Sequence, residues 1–103
     1  MVSQRAPDTQ VVVKEKTETK KPKLYRVLLL NDDYTTMEFV VFVLETVFHK
    51  SIEEATALMW RIHQTGSGVC GVFAYEIAEM KVATVEAMAR HHEFPLKCLM
   101  EEE

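Results

Sequence analysis

Three adjacent polar residues, Asn31, Asp32 and Asp33, are the side chains best suited to bind a ligand, because they directly follow a strongly apolar stretch. His63 could add an imidazole if the fold brings it to them. A carboxylate, an amide oxygen and a neutral imidazole nitrogen are all hydrogen-bond acceptors. Together they would suit a free α-amino group, which is charged at neutral pH because its reference pKa is about 7.7–8.0.

A structural role is the alternative for the same turn. Aspartate near a helix start complements the helix dipole, and asparagine stabilises turns. The residues alone leave both interpretations open. The ligand-binding interpretation makes a further prediction, because a protonated imidazole repels a cation. Affinity should then fall as the pH drops through the histidine range, near 6.5.

Apolar residues are predicted to lie beside this turn. Met37 and Val40 are one helical turn apart just after it, and Met59, Ile62 and His63 lie on adjacent turns of a later helix. A short loop between the two helices favours antiparallel packing, which would bring the start of the first to the end of the second. Such residues are often only core, but here they converge on a polar loop.

Metal binding and covalent catalysis find little support in the sequence. No pair of candidate ligands has the spacing of a common zinc site, and the adjacent His91 and His92 would point about 100° apart on a helix. Cys70 and Cys98 fall in apolar segments and are predicted to be buried thiols in a reducing cytosol. A small hydrolase that uses the aspartate pair is the weakest alternative.

The charge of the chain is uneven. Its 103 residues carry a net charge of −4. Residues 1–23 hold six basic and three acidic side chains, and we expect them to form a flexible extension. The acidic remainder, 24–103, is expected to form one domain and to favour a cationic partner over nucleic acid. With no long apolar run and no signal peptide, we expect a cytoplasmic protein that does not enter a membrane.

Local patterns predict the secondary structure. Residues 25–30 read as a buried strand, and Thr35 with Glu38 forms a capping box that predicts a helix over 36–48. A second capping box, Ser51 with Glu54, starts a helix over 52–65 that Gly66 would end in the left-handed conformation. The remaining segments are a strand at 69–73, a helix at 75–91 and a strand at 96–100.

The order β-α-α-β-α-β predicts a small α+β fold. We expect a three-stranded antiparallel sheet with three helices packed on one face. Gly71 is predicted to mark a close backbone approach within the second strand. The last three residues, all glutamates, are predicted to form a solvated end.

The stretch from Tyr25 to Val40, YRVLLLNDDYTTMEFV, closely resembles the first strand and loop of the ClpS family. These bacterial adaptors deliver N-degron substrates to the ClpA unfoldase of the ClpAP protease. The resemblance covers about residues 24–101. It continues through Ala55-Thr56, Leu58-Met59, His63, Val69 to Phe73, Glu76 to Lys81, and Pro95-Leu96.

The resemblance implies a role for each matching residue, with no cofactor and no catalysis. Asn31, Asp32 and His63 would hydrogen-bond the α-amino group of the substrate, and the backbone around Asp33 and Thr35 would align its first peptide bonds. The first side chain, which in this family is Leu, Phe, Tyr or Trp, would enter a pocket lined by Met37, Val40, Met59, Ile62 and Leu96. Met37 would be the gatekeeper that excludes Val and Ile.

The resemblance also implies a partner surface. Glu76 and Lys81 match positions that meet the N-terminal domain of ClpA, which works with ClpP, and the N-terminal extension would act in hand-off. We expect a monomer. The main alternative is a generic protein-interaction domain, similar in architecture to the C-terminal domain of the ribosomal stalk, that docks a partner helix and reads no peptide terminus.

The chain departs from the family at one position in the binding loop. Thr36 stands where the family usually has proline, at what we predict to be the first helical position. Trp60 and Arg61 beside the pocket, and Tyr75 beside Glu76, are further places where substrate choice or partner contact could differ.

Overall fold

The computed structural model describes residues 21–103, so the predicted extension lies outside the described residues except for its last three positions. Six elements follow one another in the predicted order. They are β1 (Leu24–Leu30), α1 (Met37–Thr46), α2 (Ile52–Thr65), β2 (Ser67–Ala74), α3 (Tyr75–His91) and β3 (Lys97–Glu102).

The sheet has the strand order β2-β1-β3, and the central strand β1 is antiparallel to both neighbours. Val27 and Leu29 of β1 are fully buried on the helix-covered face, whereas Val69, Val72 and Leu99 of the outer strands are exposed on the other. Side chains alternate between the faces of a strand, so one face carries the core. The predicted α+β fold with helices on one face is confirmed.

The helices meet in a single apolar core. Val43, Leu44, Ala55, Ala78 and Val85 are completely buried, and no polar side chain is buried among residues 21–103. Within the described region, no helix is long and apolar enough to cross a membrane.

The predicted start of α1 was wrong by one residue. Thr36, not Thr35, is the N-cap: its backbone is extended (φ −74°, ψ 153°), and its hydroxyl accepts a hydrogen bond from the Phe39 amide at 3.1 Å. The Thr35 hydroxyl instead donates to the carboxylate of Asp32. The Thr35 amide donates to the same carboxylate, so both polar groups of this residue are directed to Asp32 within the loop, and the next threonine caps the helix.

This shift changes how the Thr36 substitution is understood. Proline fixes φ near −65°, so the φ of −74° observed at position 36 is compatible with proline. Threonine at this position also provides a side-chain acceptor for the Phe39 amide, which proline lacks.

Helix α2 has its predicted bounds. Ser51 and Glu54 form the reciprocal capping box, and Gly66 ends the helix in the left-handed conformation at φ 99°. The amide of Gly66 donates to the Ile62 carbonyl at 2.9 Å. Each end of α2 is therefore fixed by contacts between residues that are only three or four positions apart in the chain. The predicted bounds of α3 are confirmed as well.

Strand β2 extends beyond both predicted ends, whereas β3 begins one residue later than predicted and extends two residues further. Ser67 and Gly68 pair with the end of β1, and Glu101 and Glu102 pair with its start. The glutamates at 101–103 are exposed, as predicted, but the first two belong to β3. Arg26 also lies 3.3 Å from the Glu101 carboxylate.

Close packing between α2 and β2 fixes the position of the helix. A Cβ atom added to Gly68 would lie 2.7 Å from Cγ1 of Ile62 and 3.0 Å from Cδ1 of Leu58. At Gly71, the predicted close approach is to a side chain, since an added Cβ would lie 2.5 Å from Cζ of Phe73. The missing side chain of Gly68 lets α2 lie directly on the sheet.

Candidate functional site

A pocket of about 370 Å³ opens between the β1–α1 loop and the last turns of α2. This volume is in the range of small-ligand sites. Its walls are polar on the loop side and apolar on the helix side. The residues that line it are Asn31, Asp32, Asp33, Tyr34, Thr35, Thr36, Met37, Val40, Met59, Ile62 and His63.

The loop is folded around the carboxylate of Asp32. Its Oδ1 accepts hydrogen bonds from the amides of Tyr34, at 2.8 Å, and Thr35, at 2.7 Å. Its Oδ2 accepts one from the Thr35 hydroxyl at 2.7 Å. The structural role that the sequence left open is therefore present. Each carboxylate oxygen has two lone pairs, so Oδ2 can also accept a hydrogen bond from a ligand.

These contacts set the charge of Asp32. Partial burial raises its pKa, but the hydrogen bonds from the Thr35 amide, the Thr35 hydroxyl and the Tyr34 amide together outweigh burial and bring the pKa below the usual 3.8. Because the folded-state pKa is lowered, the carboxylate is ionised at neutral and mildly acidic pH. Its contribution to the folded loop is lost only as the pH falls through that lowered pKa.

A backbone hydrogen bond holds the loop against α2. The amide of Asn31 donates to the carbonyl of Gly66 at 2.9 Å, directly after the helix ends. His63 lies in the last turn of the same helix and lines the same pocket. The side chains of Asn31 and His63 are exposed, and neither makes a hydrogen bond to another residue in the range 21–103. Their acceptor atoms are available to a ligand.

The apolar half of the pocket contains two methionines. Met37 is 39% exposed, whereas Met59 is only 6% exposed and belongs to the core with Val40 and Ile62. Both methionines also line a second, shallower cavity of about 270 Å³ on their other side. The unbranched methionine side chain adapts to differently shaped groups, so this wall can adjust to an apolar ligand.

The lining residues favour a cation. They include the carboxylates of Asp32 and Asp33 but no lysine or arginine. A positive group is attracted to such a site, and a negative one is repelled.

The structure brings together most of the predicted site residues. The three proposed α-amino ligands, the two loop residues Asp33 and Thr35, and four of the five apolar residues share this pocket. Leu96 does not line it. That side chain is buried in the core, and its small exposed part borders a groove with Pro95 and Arg90. Leu96 immediately precedes β3, whereas the pocket is built by the β1–α1 loop and α2.

Two lining residues, Tyr34 and Thr36, were absent from the predicted site. Tyr34 donates its amide to Asp32 while its side chain remains 77% exposed at the mouth of the pocket. Tyr34 could have been predicted as a site residue, because it lies between Asp33 and Thr35, which were both predicted to belong to the site. The hydroxyl of Thr36 caps the helix start. The place of Thr36 beside the pocket could not be predicted while the cap was assigned to Thr35.

The two predicted unfoldase contacts lie away from the pocket, on α3. Glu76 is exposed in the first turn. The Lys81 ammonium donates to the Val47 carbonyl at 2.7 Å and lies 5.5 Å from the centre of the Phe73 ring. Lys81 therefore has a structural role in joining α3 to the end of α1.

The cysteines offer no reactive thiol at neutral pH. Cys70 and Cys98 are unpaired and buried, and burial raises the pKa of each to about 12. Among residues 21–103, no three His, Cys, Asp or Glu side chains cluster as a metal site would require.

Comparison with known proteins identifies the family. The family model described as "ATP-dependent Clp protease adaptor protein ClpS" matches residues 20–99. The chain belongs to the ClpS family. The resemblance found in the sequence is thereby confirmed, and the chain is assigned to the adaptors of the ATP-dependent Clp protease.

Curated ClpS relatives match most of the chain. The ClpS adaptor of Rhodospirillum centenum is 59% identical over 97 residues, which cover 94% of this chain and 90% of the relative. The ClpS adaptor of Hyphomonas neptunium is 64% identical over 86 residues, which cover 84% of this chain and 73% of the relative.

A solved structure supports the same ClpS assignment. Agrobacterium tumefaciens ClpS2 bound to L-phenylalaninamide superposes with a TM-score of 0.78 at 42% sequence identity. The match covers 81% of this chain and all of that protein.

The hydrogen bonds around Asp32 can be tested by titration. Thr35→Val removes the hydroxyl donor but keeps the amide, so we expect the pKa of Asp32 to rise towards its usual value. The measurement is a carboxyl titration followed by NMR. Thr46→Val is the matched control, because it removes a hydroxyl that donates to the Phe42 carbonyl. An Asp32 pKa that does not change in Thr35→Val would contradict the loop geometry.

Proposed function

We propose that this protein is a non-enzymatic adaptor that binds proteins with a free N-terminal Leu, Phe, Tyr or Trp and delivers them to ClpA for degradation by ClpP. The observation that carries the proposal is a single pocket in which an acidic, acceptor-rich loop adjoins an apolar cavity. An N-terminal residue offers a matching pair of groups, because its Cα atom carries both a cation and an apolar side chain.

The polar half would bind the α-amino group. An ammonium has three N–H donors, which the Asn31 amide oxygen, the Oδ2 atom of Asp32 and a neutral His63 nitrogen could accept together. The remaining loop backbone near Asp33 and Thr35 would align the first peptide bonds. Asp32 is suited to this role because the loop's own hydrogen bonds already fix its orientation.

The apolar half would bind the first side chain. Met37, Val40, Met59 and Ile62 offer apolar surface at the right place, and Met37 at the rim would act as the gatekeeper. Burial of a Leu or Phe side chain contributes about 1.5–3 kcal/mol. Leu96, which lies outside the cavity wall, would support the pocket from the core.

Neither half of the pocket suffices alone. A hydrogen bond to a charged group contributes about 1.5–3 kcal/mol, similar to the apolar term. Their sum, after the cost of association, is consistent with affinity in roughly the micromolar range. An internal leucine lacks the ammonium, and an N-terminal lysine would place a charge in the apolar cavity. Selectivity for a peptide terminus follows from the need for both groups.

The solved relative supports this ligand class. L-phenylalaninamide, to which Agrobacterium tumefaciens ClpS2 is bound, carries a free α-amino group and an aromatic side chain. The amide group in place of a carboxylate imitates the first peptide bond of a protein.

A second surface would bind the unfoldase. Glu76 projects from the start of α3, next to a groove of about 430 Å³ that includes the exposed side chains of Phe42, Ile77 and Met80. An exposed apolar groove with a charged rim is typical of a protein interface. We propose that the N-terminal domain of ClpA binds here and that the adaptor acts as a cytoplasmic monomer.

Acetylation of the substrate terminus tests the binding mode directly. We expect a fluorescent peptide that begins with Leu to lose roughly 10- to 100-fold in affinity when its N-terminus is acetylated, because a hydrogen-bonded charge is lost. Asp32→Ala and His63→Ala should weaken binding of the free peptide in the same direction. Ile52→Ala, an exposed apolar position at the start of α2, is the control. Equal affinity for free and acetylated peptides would refute the proposal.

The pH dependence separates the two titratable ligands. Asp32 has a lowered pKa and stays ionised from pH 8 to 5, so a loss of affinity over this interval has another origin. A protonated imidazole can no longer accept a hydrogen bond from an ammonium. We expect affinity to fall towards pH 5, and His63→Gln, which keeps a neutral acceptor, to flatten the profile. Fluorescence anisotropy at fixed ionic strength measures both. An unchanged profile in His63→Gln would exclude this role for His63.

Charge reversal on α3 tests delivery. Glu76→Lys is expected to weaken binding to the isolated ClpA N-terminal domain at least about tenfold, because a complementary charge becomes repulsive, while binding of the Leu peptide is retained. Glu53→Lys, in the first turn of α2, is the matched control. Calorimetry measures both interactions. Lys81 is a poorer choice, since its replacement also removes the bond to Val47. Unchanged ClpA binding in Glu76→Lys would place the interface elsewhere.

A further inference from the structure

The only tryptophan of the chain, Trp60, lies one helical turn before His63 on α2. The two ring centres are 5.8 Å apart with an angle of 76° between the ring planes, which is an edge-to-face contact. The indole is 44% exposed and is not among the residues that line the pocket. Trp60 therefore touches the site through the imidazole.

The imidazole has little else to orient it. Within residues 21–103, His63 makes no hydrogen bond to another side chain or to the backbone, and its one aromatic neighbour is Trp60. An exposed side chain without partners occupies several rotamers, and fixing one of them on binding costs conformational entropy. A ring packed against one side of the imidazole reduces this cost before the ligand arrives.

We propose that Trp60 is a positioning residue for the α-amino site, because its indole holds the His63 imidazole in the orientation that presents a nitrogen lone pair to the pocket. This inference rests on the proposed function. It adds a specific determinant of affinity that acts on the charged end of the substrate and leaves the side-chain cavity untouched.

The geometry distinguishes this role from a purely structural one. Trp60 projects from the exposed side of α2, whereas Ala55, Met59 and Ile62 form the buried side of that helix. Replacing the indole should therefore leave the core intact. An edge-to-face aromatic pair contributes enough to change affinity roughly two- to tenfold.

The test measures binding of a free Leu-initiated peptide to Trp60→Leu and Trp60→Phe. We expect Trp60→Leu to lose roughly two- to tenfold in affinity, in line with one aromatic pair, and Trp60→Phe, which keeps a ring, to recover most of it. Ile52→Ala is the matched control for an exposed apolar side chain on the same helix. Thermal unfolding of each variant checks that the fold is kept.

A double-mutant cycle with His63→Ala decides whether Trp60 acts through the imidazole. If it does, Trp60→Leu has no further effect once His63 is gone. An equal loss in both backgrounds would mean that the indole contacts the peptide itself, which would overturn the proposal. Full affinity in Trp60→Leu, or in His63→Ala alone, would overturn it too. Equal binding of free and acetylated peptide by the unmutated protein would instead refute the proposed function.

Discussion

The carboxylate of Asp32 is the group on which the site depends. Two backbone amides and one hydroxyl converge on it, so hydrogen bonds to one carboxylate fold the loop that links β1 to α1. The same hydrogen bonds lower the pKa of Asp32 and keep it charged. One interaction thus shapes the loop and supplies the negative charge that the proposed ligand needs.

The rest of the fold brings an apolar surface to that loop. The Asn31 amide binds the Gly66 carbonyl, which fixes the loop at the end of α2. Gly68 lets this helix lie close to the sheet, so Ile62 reaches the pocket wall from the core. A cation site and an apolar cavity consequently share one boundary. A ligand that carries both groups on one carbon can use both, and this condition describes the start of a polypeptide chain.

Elements whose ends are fixed locally were predicted best from the sequence. A capping box starts helix α2 and a glycine ends it, and both signals are local in the sequence. Both ends of this helix were therefore predicted correctly. The start of α1 was misplaced because two threonines compete for one role, and the nearby carboxylate decides between them. The ends of β2 and β3 were misplaced because strand length depends on pairing with β1, which local patterns do not record.

The sequence by itself determined the kind of chemistry: an acidic loop after a buried strand, methionines at helical spacing, and one histidine at the end of a helix. Only the tertiary structure decided which of these groups meet, because that depends on how α2 packs against the sheet and the loop. In the folded chain Asp32 accepts hydrogen bonds from its own loop, and Trp60 packs edge-to-face against His63. Leu96 borders a different groove from the one predicted. Residue types fix the available charges and surfaces, whereas distances between residues far apart in the chain arise only when the core is packed.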